Sequence, residues 1–124
     1  MTEVSAPLRG VTVGVIGLGA MGAPMARHLA RGHGSVHIPA RRPRPDLVAD
    51  GAVQHDDAAS LAAVADVVLL MLPDLPEVEE VLADGLLAGA RPLLLLIGST
   101  SSAPGVRALA ERLDRETGGR VRVV

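Results

Sequence analysis

Gly17, Gly19 and Gly22 stand at the spacing G-x-G-x-x-G, directly after an apolar run and directly before a stretch with helical periodicity. Residues without a Cβ at this spacing do chemistry with their backbone. The first glycine lets the chain turn sharply, the second lets backbone approach a bound group, and the third lets the following helix lie close on the preceding strand. A helix that begins there points unpaired N–H groups and a partial positive charge at whatever occupies the turn. Such a turn suits a pyrophosphate. Gly17, Leu18, Gly19, Ala20, Met21 and Gly22 are therefore candidates for binding a dinucleotide cofactor.

The next question is which dinucleotide. A site for NAD usually carries an acid about 20 residues past the glycines, where it holds the ribose hydroxyls. Here that region reads Ala40-Arg41-Arg42, and no acid follows until Asp46. Arg41 and Arg42 suit a 2′-phosphate, so the expected cofactor is NADP rather than NAD. One charge-assisted hydrogen bond of this kind contributes about 1.5–3 kcal/mol, a preference of about tenfold or more. Pro39 lacks a ladder donor, which predicts that the second strand ends early.

Other chemistries are poorly provided for. The 124 residues include no cysteine and no aromatic residue, and all 12 basic residues are arginines. Thiolate nucleophiles, disulfides and any step that needs an amine side chain are excluded. His28, His33, His37 and His55 read as surface residues, and their spacing suggests no metal site. Ser101 and Ser102 have no evident base. A formal charge of −2 gives no reason to expect nucleic acid or an anionic membrane as partner. No apolar run reaches membrane-spanning length, and Met1 to Pro7 does not read as a secretory signal. The lack of cysteine fits a cytoplasmic protein.

The elements that must position the glycines and arginines follow from the pattern. Apolar strands are predicted at Val11–Ile16, Ser35–Ile38, Val67–Leu72, Leu93–Ile97 and Val121–Val124. Met21, Met25 and Leu29, with Ala26 and Ala30 beside them, mark a helix face, and Gly32 and Gly34 are its predicted stops. A helical turn is predicted at Asp46–Asp50. Further helices are predicted from Asp56 or Asp57 to Ala65, Pro76 to Ala83 and Pro104 to Thr117. Apolar strands alternating with helices imply one α/β domain: a Rossmann-type, doubly wound parallel sheet in three layers.

The segment from Ile16 to Leu29, Ile-Gly-Leu-Gly-Ala-Met-Gly-Ala-Pro-Met-Ala-Arg-His-Leu, resembles the N-terminal signature of the β-hydroxyacid dehydrogenases. That family includes 3-hydroxyisobutyrate dehydrogenase and tartronate semialdehyde reductase and is related to 6-phosphogluconate dehydrogenase. Asp66 to Asp74, with Met71-Leu72-Pro73, and Ser99-Thr100 are similar to later family segments. The resemblance implies that Leu72, Pro73 and Thr100 touch the cofactor and that Ser99 faces substrate. Ala40-Arg41-Arg42 departs from the family's usual Asn-Arg-Thr.

The resemblance further implies reversible hydride transfer to or from a small hydroxy or oxo acid, with a lysine as general acid/base. In the family that lysine belongs to a helical domain following the cofactor domain. With no lysine, this chain is expected to be catalytically incomplete by itself. Two other readings are a stand-alone dinucleotide-binding module and the cofactor domain of an imine reductase. Met71-Leu72-Pro73 and Ser99-Thr100 favour the hydroxyacid branch. An exposed last strand with an uncovered apolar face is expected to promote self-association.

Overall fold

The computed structural model describes residues 10–33, 36–40, 42–99 and 101–124. In chain order the elements are β1 (Val13–Ile16), α1 (Gly22–Gly32), β2 (Val36–Pro39), α2 (Pro45–Ala49), β3 (Val53–His55), α3 (Ala58–Ala62), β4 (Val67–Leu70), α4 (Leu75–Val81), β5 (Leu93–Ile97), α5 (Ala103–Thr117) and β6 (Val121–Val123). A π-helical turn, Leu82–Leu86, continues α4.

All strand pairs are parallel, and the order is β3-β2-β1-β4-β5-β6. The chain starts mid-sheet, steps outward to β3, then returns to lay β4 on the free side of β1. Val13 to Ile16 pair in register with Val67 to Leu70. The reversal puts a switch point between β1 and β4, where a crevice opens at the carboxyl ends of the strands.

Side chains alternate between the two faces of this Rossmann-type α/β sheet. Ile16, Val68, Leu70, Leu93, Leu95 and Val121 pack with Leu61, Val78, Leu82, Leu109 and Leu113 of the α3–α5 side. Val15, Val36 and Ile38 pack with Ala26, Ala30 and Leu47 of the α1–α2 side. Among the described residues the third layer covers the β1–β3 half. Beyond it, Val67, Leu69, Leu94 and Leu96 stay half-buried. There Val11, Val13, Met25, Leu29, Val67, Leu69 and Leu96, with His28, line an apolar groove of about 500 Å³.

The helix face differs from the one expected. Gly22, Ala26 and Ala30 form the buried row of α1, Met25 and Leu29 flank it, and Met21 is exposed. Small side chains let the helix axis approach β1 closely, and larger ones at those positions would hold it off.

Three strand expectations are corrected. The first strand begins at Val13 because the Thr12 N–H is taken by the Asp66 carboxylate at 2.8 Å rather than by a neighbouring strand. Pro39 does not end β2 early, since it pairs with His55 of β3. The Ala40 N–H donates to the His55 carbonyl at 3.1 Å. Amides alternate along a strand, so the Pro39 nitrogen faces β1, where the recorded pairing stops at Gly14 and His37. β3 itself was not expected. It is three residues long, polar in its second half and at the sheet edge, so it lacks the apolar run that marks a buried strand.

Candidate dinucleotide-binding site

β1 is buried through Ile16, and Gly17 turns the chain at once with φ +97°. A Cβ built on Gly17 would lie 2.3 Å from the Met71 carbonyl oxygen, and one on Gly22 would lie 1.6 Å from the Gly17 carbonyl oxygen. Packing alone therefore demands glycine at both positions. Gly19 differs: its φ is not positive, and a Cβ there would meet nothing within 4 Å. Nothing among the described residues requires that position to be bare, and the space above it is open to a ligand.

The helix that follows is also open. The N-termini of α3, α4 and α5 are capped by Asp57, Asp74 and Ser102, whose side chains accept backbone N–H bonds. α1 has no side-chain cap and no acid in its first turn. Among the described residues, the N–H groups of Leu18, Gly19, Ala20, Met21 and Gly22 donate to no protein acceptor, and the ladder resumes at Ala23, which donates to the Gly19 carbonyl. Free donors and the positive end of an 11-residue helix face the same space.

That space is a cleft of about 600 Å³ lined by Gly17, Gly19, Ala20, Met21, Gly22, Met71, Leu72, Pro73, Gly98 and Ser99. Eight of the residues singled out in the sequence meet here, although they come from three separate segments. Met21 sits on the rim and is 67% exposed, an unusual state for a methionine. Leu18 points elsewhere: its side chain packs on the α1–α2 core, and only its backbone belongs to the turn. Arg41 and Thr100 lie outside the described residues. Arg42 is exposed in the loop after β2.

Gly98 and Met71 join the cleft without having been candidates. A Cβ on Gly98 would lie 2.2 Å from Met71 Sδ, so this glycine makes room for the methionine that floors the cleft. A glycine between an apolar strand and a Ser-Thr pair was the available signal.

The arginine loop is organised from β3. Gln54 Nε2 donates to the carbonyls of Arg42 at 3.0 Å and Ala40 at 3.4 Å, while its Oε1 accepts the Arg44 N–H at 3.1 Å. Arg44 donates from Nε and Nη2 to the Asp46 carboxylate, both at 3.2 Å. The Arg44 guanidinium holds the Asp46 carboxyl below the usual carboxylate range.

The surface reading holds for His28 but not for the other histidines. His33 Nε2 lies 2.7 Å from the Val11 carbonyl, and His37 Nδ1 lies 2.7 Å from His55 Nε2. All three are half-buried. Burial, and then the neighbouring His55, pushes the His37 pKa down. Pairing β2 with β3 creates the His37–His55 contact, so it was out of reach without β3. Among the described residues no three metal-ligating side chains gather, and no helix is long and apolar enough to cross a membrane.

A glycine turn with unclaimed amides, set at the switch point of a doubly wound parallel sheet, defines a dinucleotide-binding domain. Residues 12–121 match the family model of the NAD binding domain of 6-phosphogluconate dehydrogenase, and the chain belongs to that family. It is 44% identical over 71 residues to 2-hydroxy-3-oxopropionate reductase of Escherichia coli, covering 56% of this chain and 24% of the relative. It is 40% identical over 109 residues to L-threonate dehydrogenase of Cupriavidus necator, covering 84% of this chain and 37% of the relative. The solved imine reductase of a Pseudomonas species superposes with a TM-score of 0.76 at 25% identity, covering 91% of this chain and 39% of that one. The chain thus spans well under half the length of these relatives.

Proposed function

We propose that this chain is the NADP-binding domain of a 3-hydroxyisobutyrate dehydrogenase-like oxidoreductase, working in the cytoplasm on a small β-hydroxyacid or the matching oxo acid. The observation that carries the reading is the glycine turn. Two of its glycines are demanded by packing, while Gly19 is demanded by nothing among the described residues and opens the turn to a ligand.

On this reading the amides from Gly17 to Gly22 hold the pyrophosphate, Leu72 and Pro73 flank the cofactor with Thr100, and Ser99 faces the substrate. The nicotinamide supplies the hydride. The protein's part here is to bind, orient and shield. The loop after β2, which carries Arg41, Arg42 and Arg44, takes the phosphate on the adenosine ribose, which selects NADP over NAD.

Among the described residues the cleft lining carries no titratable side chain that could move a proton near neutral pH, and the chain has no lysine. General acid/base work therefore falls to a further domain, which also completes the substrate pocket. The 2-hydroxy-3-oxopropionate reductase and L-threonate dehydrogenase relatives, together with Met71-Leu72-Pro73 and Ser99-Thr100, favour the hydroxyacid branch over the imine branch. A non-catalytic module is the remaining reading, and turnover of NADPH with small oxo acids by a longer form carrying the second domain separates the two.

Calorimetry on the chain tests the cofactor assignment. NADPH is expected to bind about tenfold tighter than NADH, or more. Equal affinities would remove the role given to the arginine loop, and no binding of either would remove the site.

A further inference from the structure

The loop after β2 carries a third arginine, Arg44, and the structure fixes it more firmly than its position in the sequence suggests. Its backbone is tied to Gln54. Its Nε and Nη2 form a fork on Asp46. Its Nη1 donates at 3.4 Å to the carbonyl of Leu18, inside the glycine turn. Two-thirds or more of its side chain is buried. The Arg44 guanidinium thus bridges the loop after β2 and the turn after β1.

The carboxylates beside it are already engaged. Asp46 Oδ2 also accepts from Arg27 Nη2 at 3.4 Å. Asp50 accepts from Arg27 Nε at 3.1 Å and Arg31 Nε at 3.0 Å. Three guanidiniums share two carboxylates, so the cluster keeps surplus positive charge next to Leu18. Asp46 is the first acid after β2, the residue type that would hold free ribose hydroxyls in an NAD site. Here both its oxygens are committed to arginine, which removes it from that task. Arg44 spends two of its five N–H donors on Asp46. Its longest bond, to Leu18, is the one most readily exchanged for a phosphate oxygen, which takes a charge-assisted bond in place of a neutral one.

We propose, on the NADP reading above, that Arg44 is the specificity-determining residue: its guanidinium takes the 2′-phosphate against the glycine turn, braced by Asp46. Arg42, exposed in the same loop, then adds charge rather than the discriminating contact. A braced fork loses less freedom on binding than an exposed arginine.

The test uses adenosine 2′,5′-bisphosphate and AMP, which differ only in that phosphate, titrated by calorimetry into the wild-type chain and into Arg44→Ala and Arg44→Lys. The wild type is expected to prefer the bisphosphate by about tenfold or more. Arg44→Ala is expected to lose about tenfold for the bisphosphate and less than about threefold for AMP. Arg44→Lys, which keeps the charge without the fork, is expected to lose severalfold. A thermal melt of each variant reports whether it is folded. If Arg44→Ala does not fold, Arg44→Lys decides, and full retention of the preference there overturns the proposal. A wild type that discriminates and an Arg44→Ala chain that still does would hand the role to Arg41 or Arg42, leaving the NADP reading intact. A wild type that does not discriminate would remove the NADP reading and this proposal with it.

Discussion

The two loops that face the cofactor region are built by opposite means. The turn after β1 is held by exclusion: Gly17 and Gly22 sit where any Cβ would strike a carbonyl oxygen, so one backbone path remains. The loop after β2 is held by attraction. Gln54 of β3 laces two carbonyls and one amide of the loop, and Asp46 pins Arg44. A steric constraint of the first kind is local and close to all-or-none. A polar network of the second kind is long-range and graded, because each hydrogen bond contributes about 0.5–1.5 kcal/mol and can be lost singly.

The contrast is sharpest within the glycine turn itself. Gly22→Ala should cost about 1–3 kcal/mol or more and abolish dinucleotide binding, since the added carbon has no space. Gly19→Ala should leave the thermal midpoint almost unchanged, within about 0.5 kcal/mol, yet weaken NADPH by about tenfold. Melting curves and calorimetry on the two variants give the comparison. A Gly19→Ala chain that binds as the wild type would show that the open space there is not where the pyrophosphate runs.

The graded loop should respond more gently. Gln54→Leu removes three hydrogen bonds to a half-exposed loop, and about 1–2 kcal/mol of stability should go with them. The NADPH preference should fall severalfold while NADH binding changes little, because only the arginines are displaced. Urea denaturation and calorimetry measure both. A collapse of binding to both cofactors would mean that the two loops form one cooperative unit rather than two independent ones.

The smallest expected effect lies behind the arginine loop, at the His37–His55 pair. Burial, and then His55, lowers the His37 pKa from its ordinary 6.5. In the window between the lowered folded value and 6.5 the unfolded chain binds a proton that the folded chain refuses. Stability therefore rises with pH across that window and is lost on acidification through it. The urea midpoint should drop from about pH 7.5 to about pH 5.5, and His37→Gln should flatten that slope. Equal slopes in the two chains would show that His37 does not resist protonation.

Much of the architecture was legible in the residues alone. β5 is found at the predicted Leu93–Ile97, and α5 begins one residue before the predicted Pro104. Apolar runs of strand length and capped helical stretches carry their own signals. The glycine turn was legible for the same reason, since its constraint acts between atoms a few residues apart. The edge strand β3 was not, being three residues long and half polar. With it went Gln54 as the organiser of the arginine loop, and the His37–His55 contact.

What the sequence determined by itself, then, is the alternation of strands and helices and the bare-backbone turn, because periodicity and the missing Cβ are properties of neighbours along the chain. Tertiary structure alone decided which helix face is buried, that Gly98 clears space for Met71, and that Arg44 reaches Leu18. Those outcomes depend on which strand lies beside which. Parallel pairing joins residues far apart in the chain, and no local pattern encodes the distance between their side chains.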